Sequence, residues 1–362
     1  MRQNKGWVRG LGIVLGALLV LLGGAGAAGA QPAIFPQFMT VTVDGNPVAS
    51  GYAAAVLYQG GVFHLWYRDS VVVGLGTISH ATSADGVAYT TTGALSFAVD
   101  PFTAGTAPYL YYENAAIVGG EAKLIHWTYY GGAGAFPAYD YNNSVSNVGS
   151  TFGNLSITHQ GPIGGGTIGQ TAGSFGIVGG YWYGQCGNTG QEVCRSPYTD
   201  GAPPNVGVSI YPSVLDASAL FSGLGIATGY INNHCDVIAG QTGLDMFLTL
   251  RTDSSGARFD EQVYWAGSSD GGATWSSPVA LFASPTLDGG AFGGNFAHPE
   301  ALWTGARYFL YVSAQNASED YVLALAVSGG TPLVEIPALS LAGIAALVLA
   351  LAALGFMVLR RV

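Results

Sequence analysis

Two triplets, His234-Cys235-Asp236 and His298-Pro299-Glu300, each set an imidazole two residues from a carboxylate. Histidine and carboxylate side chains move protons near neutral pH, so two of each drawn from neighbouring strands suit general acid-base work. The same four groups offer nitrogen and oxygen ligands to a divalent metal. Residues two apart on a strand face one side, so each triplet can aim both groups into one pocket. Glu113 and Asn114 extend the set. The candidate catalytic carboxylates are therefore Glu113, Asp236 and Glu300, and the candidate ligand-binding residues are Asn114, His234 and His298. The two histidines are the candidate metal ligands. Alternatively, these residues sit at strand starts near a rim, bonded to backbone or water.

The elements that must position them come from an internal repeat. An apolar run, a Gly-containing turn and an aromatic-rich run start at Tyr52, Glu113, Gly173, Asn233 and Ala297, with spacings of 61, 60, 60 and 64 residues. The pattern is that of a β-hairpin, and a second segment with its own turn follows each copy, giving about four strands per unit. Five four-stranded units arranged radially solve the problem of exposed strand edges, which predicts an all-β, five-bladed β-propeller. A pair of β-sandwiches is the alternative fold. The 56 Gly, 20 Tyr and 7 Trp suit many tight turns and aromatic sheet packing.

In a propeller the innermost strand of each blade lines the channel. Aligning the five repeats on their apolar pairs puts Ala53, Asn114, Ser174, His234 and His298 at one position, and Ala55, Ala116, Gly176, Asp236 and Glu300 two residues later. The polar load thus falls on the last two blades. His64 and His126 lie in aromatic second strands and are expected to pack within their blades. The aromatics of Leu110–Tyr112, Trp127–Tyr130 and Tyr181–Gly184 are sheet core or, alternatively, platforms for sugar rings. Arg195 and Arg307 are read as clamps on local turns or on a ligand.

The stretch "SSDGGATW" matches the Asp-box pattern through Ser268, Asp270, Gly272, Thr274 and Trp275. An Asp side chain readily bonds turn backbone and a Trp can cover a hairpin, so Asp270 is read as architectural. Ser83, Asp85, Gly86 and Tyr89 form a related turn.

Both ends of the chain read as addresses. Residues 1–30 carry Arg2, Lys5 and Arg9, an apolar run from Leu11 to Leu22 and small residues to Ala30, the layout of a secretory signal peptide that signal peptidase would remove. Residues 334–362 hold an apolar run from Ala338 to Leu359, about 33 Å long as a helix, followed by Arg360 and Arg361. Between them, residues 31–333 are the expected propeller domain. Residues 31–335 hold all 21 acidic residues and only six basic ones, a balance of 6 − 21 = −15. Such a surface repels phosphate backbones, so no nucleic acid partner is expected. In an oxidising compartment, Cys186 and Cys194 close a short loop suited to a disulfide, leaving Cys235 over, although Cys235 could pair with either.

Two resemblances follow from these residues. Ile336, Pro337, Leu339 and Ser340, with the apolar run and Arg360 and Arg361, resemble the IPTL-CTERM sorting signals, with Ala338 where that family has Thr. This resemblance implies processing by an exosortase-type enzyme, membrane association through the C-terminal helix, and a protein exported to the envelope or cell surface; an ordinary membrane anchor is the alternative. The segments "GGVFHLWYRD", "ISHATSADGVAY" and "HPEALWTGARYFLYVS" resemble five-bladed propellers of arabinanase- and β-fructosidase-type glycoside hydrolases. That family implies carboxylates on the inner strands of the first three blades. Here the first inner strand, "YAAAV", and the third, "GSFGI", have none. Three functions are consistent with the sequence: an envelope-anchored propeller recognising a carbohydrate or other polar ligand at its channel, a diverged glycoside hydrolase, or a non-catalytic surface scaffold or adhesion module. The divalent metal in the channel is a further expectation.

Overall fold

A computed structural model describes residues 31–49, 54–68, 78–94, 96–97, 109–118, 121–129, 138–144, 151–152, 154–159, 174–186, 190–197, 213–226, 229–231, 235–252, 262–291, 296–318 and 320–328. The described chain is all-β apart from one short helix, Ser218–Gly223. The two address segments, with the sorting motif, lie outside the described residues. Among those described, no helix is long and apolar enough to cross a membrane.

Each repeat supplies antiparallel strands to one sheet. The first holds Ala55–Gln59, Val62–Arg68, Ile78–Ser83 and Ala88–Ala94; the second, Tyr109–Val118, Glu121–Tyr129, Ala138–Ser144 and Asn154–His159. The third holds Ser174–Val178, Tyr181–Cys186, Glu192–Pro197 and Ser213–Asp216, and the fourth Asp236–Ala239, Leu244–Leu248, Tyr264–Ser268 and Val279–Ala280. The fifth repeat supplies only three strands, Phe296–Trp303, Tyr308–Gln315 and Tyr321–Val327. Its fourth is Gln37–Thr40 from the other end of the chain, with Met39 opposite Leu325 and Thr40 opposite Ala324. The fold is a β-propeller: the first strand of each blade neighbours the first strand of the next, and that of the fifth blade neighbours that of the first.

The closing strand corrects the expectation that each blade is built from its own repeat. Gln37–Thr40 lies between the antiparallel strand Tyr321–Val327 and the parallel strand Thr286–Leu287, and Ile34 bridges Ser328 beyond it. Both edges of this short strand are paired, which removes an open sheet edge at the ring's seam.

Strand alternation explains the core. In blade four, Met246 and Leu248 face the seam with blade three, joining Tyr183, Val193, Phe221 and Val237, while Phe247 faces the seam with blade five, joining Trp265, Phe296 and Phe38. Blade five does the same: Leu310, Val312 and Ala314 face blade four, and Tyr311 faces blade one beside Phe63, Leu65 and Tyr89. Strands buried on both faces read as continuous apolar runs, which is why "FLTL" and "YFLYV" carry almost no polar residues.

The Asp-box turns fasten these seams. Asp270 accepts hydrogen bonds from Ala273 N–H (2.9 Å), Thr274 N–H (3.0 Å) and the Thr274 hydroxyl (2.6 Å), and Ser268 Oγ donates to it at 2.9 Å. These bonds, the Thr274 hydroxyl first, hold the exposed Asp270 carboxyl well below the usual carboxylate range. Trp275 donates to Gly272 O and meets Tyr183 edge-on at 5.9 Å. A Cβ on Gly272 would lie 2.0 Å from the Tyr183 hydroxyl, so only glycine fits. The related turn of blade one repeats the device. Asp85 bonds Val87 and Ala88 N–H, and Gly86 O accepts from the Tyr311 hydroxyl of blade five, which also meets Tyr89 Oη at 2.9 Å.

Candidate functional site

The inner strands of blades four and five carry part of the predicted set. Asp236, His298 and Glu300 are all buried, at 3%, 5% and 2% exposure. Asp236 Oδ2 accepts the backbone N–H of Ala301 at 2.7 Å, which carries a carboxylate from one inner strand to the residue after Glu300 on the next. His234 lies outside the described residues. Glu113 and Asn114 are described as backbone of the second inner strand, opposite His126 and Ile125, and their side chains lie outside the described set.

The strand holding His298 and Glu300 is not regular. Ala297 pairs with Ser313 and Glu300 with Tyr311, so three steps on the inner strand match two on its partner. The register shift is a β-bulge, and His298 within it takes a left-handed backbone, φ +54°. The simple alternation that would aim His298 and Glu300 to one side therefore does not run through this segment. A left-handed non-glycine residue costs roughly 1 kcal/mol, and such outliers cluster at working sites. The third inner strand carries a comparable irregularity between Ser174 and Ile177, with Gly176 at φ +101°.

Other polar groups serve the scaffold. Asp245 accepts from Trp265 Nε1 (2.9 Å) and from the Tyr308 hydroxyl of blade five (2.8 Å). Burial raises its carboxyl, and those two bonds work against the rise. Sequence reasoning missed this residue because its partners come from other strands. His64 packs inside blade one, as expected, and does so against His80, which sequence reasoning did not single out: Nδ1 of His64 meets Nε2 of His80 at 3.1 Å, with the rings only 17° apart. The Thr92 hydroxyl donates to His80 O, so it receives the hydrogen on His80 Nδ1, and His80 Nε2 accepts from His64 Nδ1–H. Both rings are then neutral, and burial, with His64 alongside, holds His80 down to about 4.

Arg195 clamps a turn, donating to Gly271 O at 3.0 Å with its guanidinium 4.3 Å over the Tyr181 ring. Tyr183 is core, and Tyr181 lies at the hairpin turn, at the far end of the inner strand from Ser174. The exposed Arg307 closes its own turn through backbone bonds with Thr304. Cys194 is disulfide-bonded, whereas Cys235 is a buried thiol receiving Thr249 N–H at 3.4 Å, so Cys235 takes no part in the pairing expected of Cys186 and Cys194. Among the described residues no three His, Cys, Asp or Glu side chains form a metal-sized cluster.

Solved structures of similar fold include two arabinanases. An exo-1,5-α-L-arabinanase from a bovine ruminal metagenomic library aligns with a TM-score of 0.54 at 8% identity, over 78% of this chain and 92% of that one. A GH43 endo-arabinanase from Bacillus licheniformis aligns at 0.51 and 10% identity, over 80% and 95%. This chain shares their β-propeller fold. An exo-β-1,3-galactanase from Phanerochaete chrysosporium aligns at 0.49 and 13% identity, over 83% of this chain but 63% of that longer one. No protein-family model matches the chain, and no curated protein matches its sequence.

Proposed function

We propose that the protein is a diverged propeller of the glycoside-hydrolase type that engages a polysaccharide at its channel, through the groups that blades four and five contribute. The observation that carries this reading is the placement of Asp236, His298 and Glu300, buried on two adjacent inner strands of a fold shared with arabinan-cleaving enzymes. Hydrolysis of that polysaccharide is the reading the shared fold and the buried carboxylates support better; recognition without cleavage is the second, favoured by the first and third inner strands, where Ala54, Ala55, Gly176 and Ile177 stand without a carboxylate. In hydrolysis Glu300 and Glu113 share the acid and base roles that two-carboxylate cleavage requires. Export through the N-terminal segment and anchoring by the C-terminal one would place this activity at the cell envelope, facing extracellular glycans.

Titration of the full chain against neutral arabino-, galacto- and fructo-oligosaccharides, with reducing-sugar release measured in parallel, tests the reading. Saturable binding that Glu300→Gln weakens supports it. Flat titrations across the panel would remove it in favour of a surface scaffold.

A further inference from the structure

The carboxylates of blades four and five are not equivalent. We infer that Asp236 is a positioning residue: its carboxylate holds the bulged inner strand of blade five in place, and the ligand is met by Glu300 and His298. The inference deepens the proposed function and rests on it for the identity of the site, though not for the bond itself.

Among the described residues, Phe296–Trp303 of blade five pairs on one side only, with Tyr308–Gln315. An N–H pointing away from that partner faces the channel side and needs an acceptor if it is buried. Ala301 is buried at 3% exposure, and its N–H reaches Asp236 Oδ2 at 2.7 Å, at the short end of the range for such a bond. Asp236 is the first residue of its own strand, so its side chain can reach across to the neighbouring blade. The bond lands immediately after Glu300 and three residues after His298, at the end of the segment where the ladder slips by one residue. A bulge leaves its strand locally less well paired, and a carboxylate clamp at its exit fixes where the bulge stops. Loss of the clamp frees the bulge to relax, and His298 can leave its left-handed backbone. Asp236 thus acts through blade five, and proton transfer is not its task.

The test compares Asp236→Asn, which keeps an acceptor without charge, with Asp236→Ala, which has none, and Glu300→Gln, in the full chain. Two readouts are taken: amide hydrogen exchange of the peptide spanning 296–303, and affinity for the oligosaccharide panel. The expected result is exchange in 296–303 about tenfold faster in Asp236→Ala and rescued in Asp236→Asn, since leaving a buried N–H without an acceptor costs about that factor. Affinity should follow the same order, with Asp236→Asn within about threefold of the parent. Glu300→Gln should lose affinity while its exchange stays as in the parent. Unchanged exchange in Asp236→Ala overturns the inference. So does an Asp236→Asn variant with parental exchange but abolished binding, because that outcome puts the carboxylate on the ligand. If the parent binds no glycan, the proposed function falls, and the exchange comparison still decides the positioning role.

Discussion

Removing one hydroxyl at the seam between blades four and five should weaken the ring by a calculable amount. Tyr308→Phe keeps the ring's shape and deletes two bonds, the donation to Asp245 Oδ2 at 2.8 Å and the acceptance of Gln241 N–H at 2.7 Å. A bond to a charged group is worth roughly 1.5–3 kcal/mol and an ordinary one about 1, so the loss at neutral pH is about 3 kcal/mol. With about 2 cal/mol/K of unfolding entropy per residue over roughly 300 residues, that lowers Tm by about 5 °C. The effect has a pH signature. Burial raises the folded-state Asp245 carboxyl above its ordinary 3.8. A raised carboxyl favours the fold when protonated, so its contribution is fully present below 3.8 and declines as pH rises through the folded value. Without the Tyr308 hydroxyl the carboxyl rises further, so the gap between parent and variant should be small near pH 4 and widen towards pH 7. Thermal melts of both proteins from pH 4 to pH 8 measure this. A gap that is constant with pH, or larger in acid, would refute the account of Asp245 as a buried carboxyl whose upward shift its two donors oppose.

Three further outcomes follow from named contacts. Because the folded His80 imidazole is held down to about 4, stability that is intact above 6.5 should drain as pH falls from 6.5 towards 4, by up to roughly 3 kcal/mol. His80→Gln should flatten that acid limb in pH-dependent melts, and an unaltered limb would locate the titrating group elsewhere. Gly272→Ala should cost clearly more than Gly271→Ala: both have positive φ, but a Cβ at Gly272 meets the Tyr183 hydroxyl at 2.0 Å, while one at Gly271 meets nothing within 4 Å. The second variant should lose only about 1 kcal/mol by denaturant titration. Deleting residues 31–40 should lower Tm far more than trimming an exposed loop, since it removes Phe38 from the seam and unpairs two strand edges; equal melts would refute closure by that strand.

How much was legible in the sequence differs between local and distant features. Hairpins were, because a period of about 61 residues and the alternation in segments such as "AVLYQGGVFHLWY" are set by neighbours in the chain. The Asp-box turn at Asp270 was also readable, since every bond that Asp270 makes there lies within four residues. The closing strand was not: Gln37–Thr40 finds Tyr321–Val327 across almost the whole chain, and no local pattern records such a pairing. For the candidate site, repeat alignment located Asp236, His298 and Glu300, but it assumed regular pleating. The bulge between Ala297 and Glu300 breaks that assumption, and a His-Pro pair inside an apolar run is the only local sign of it. The partnerships of Asp245 with Tyr308 and of His64 with His80 were hidden for the same reason as the closing strand: each joins different strands.

The most direct test of the central claim is an experimental structure of the full chain soaked with the oligosaccharide that binds best. The account predicts the sugar at the channel, within hydrogen-bond reach of Glu300 and His298, with Asp236 still bound to Ala301 N–H. A sugar seated on the outer blade edges, or a channel closed by apolar side chains with no sugar in it, would contradict it.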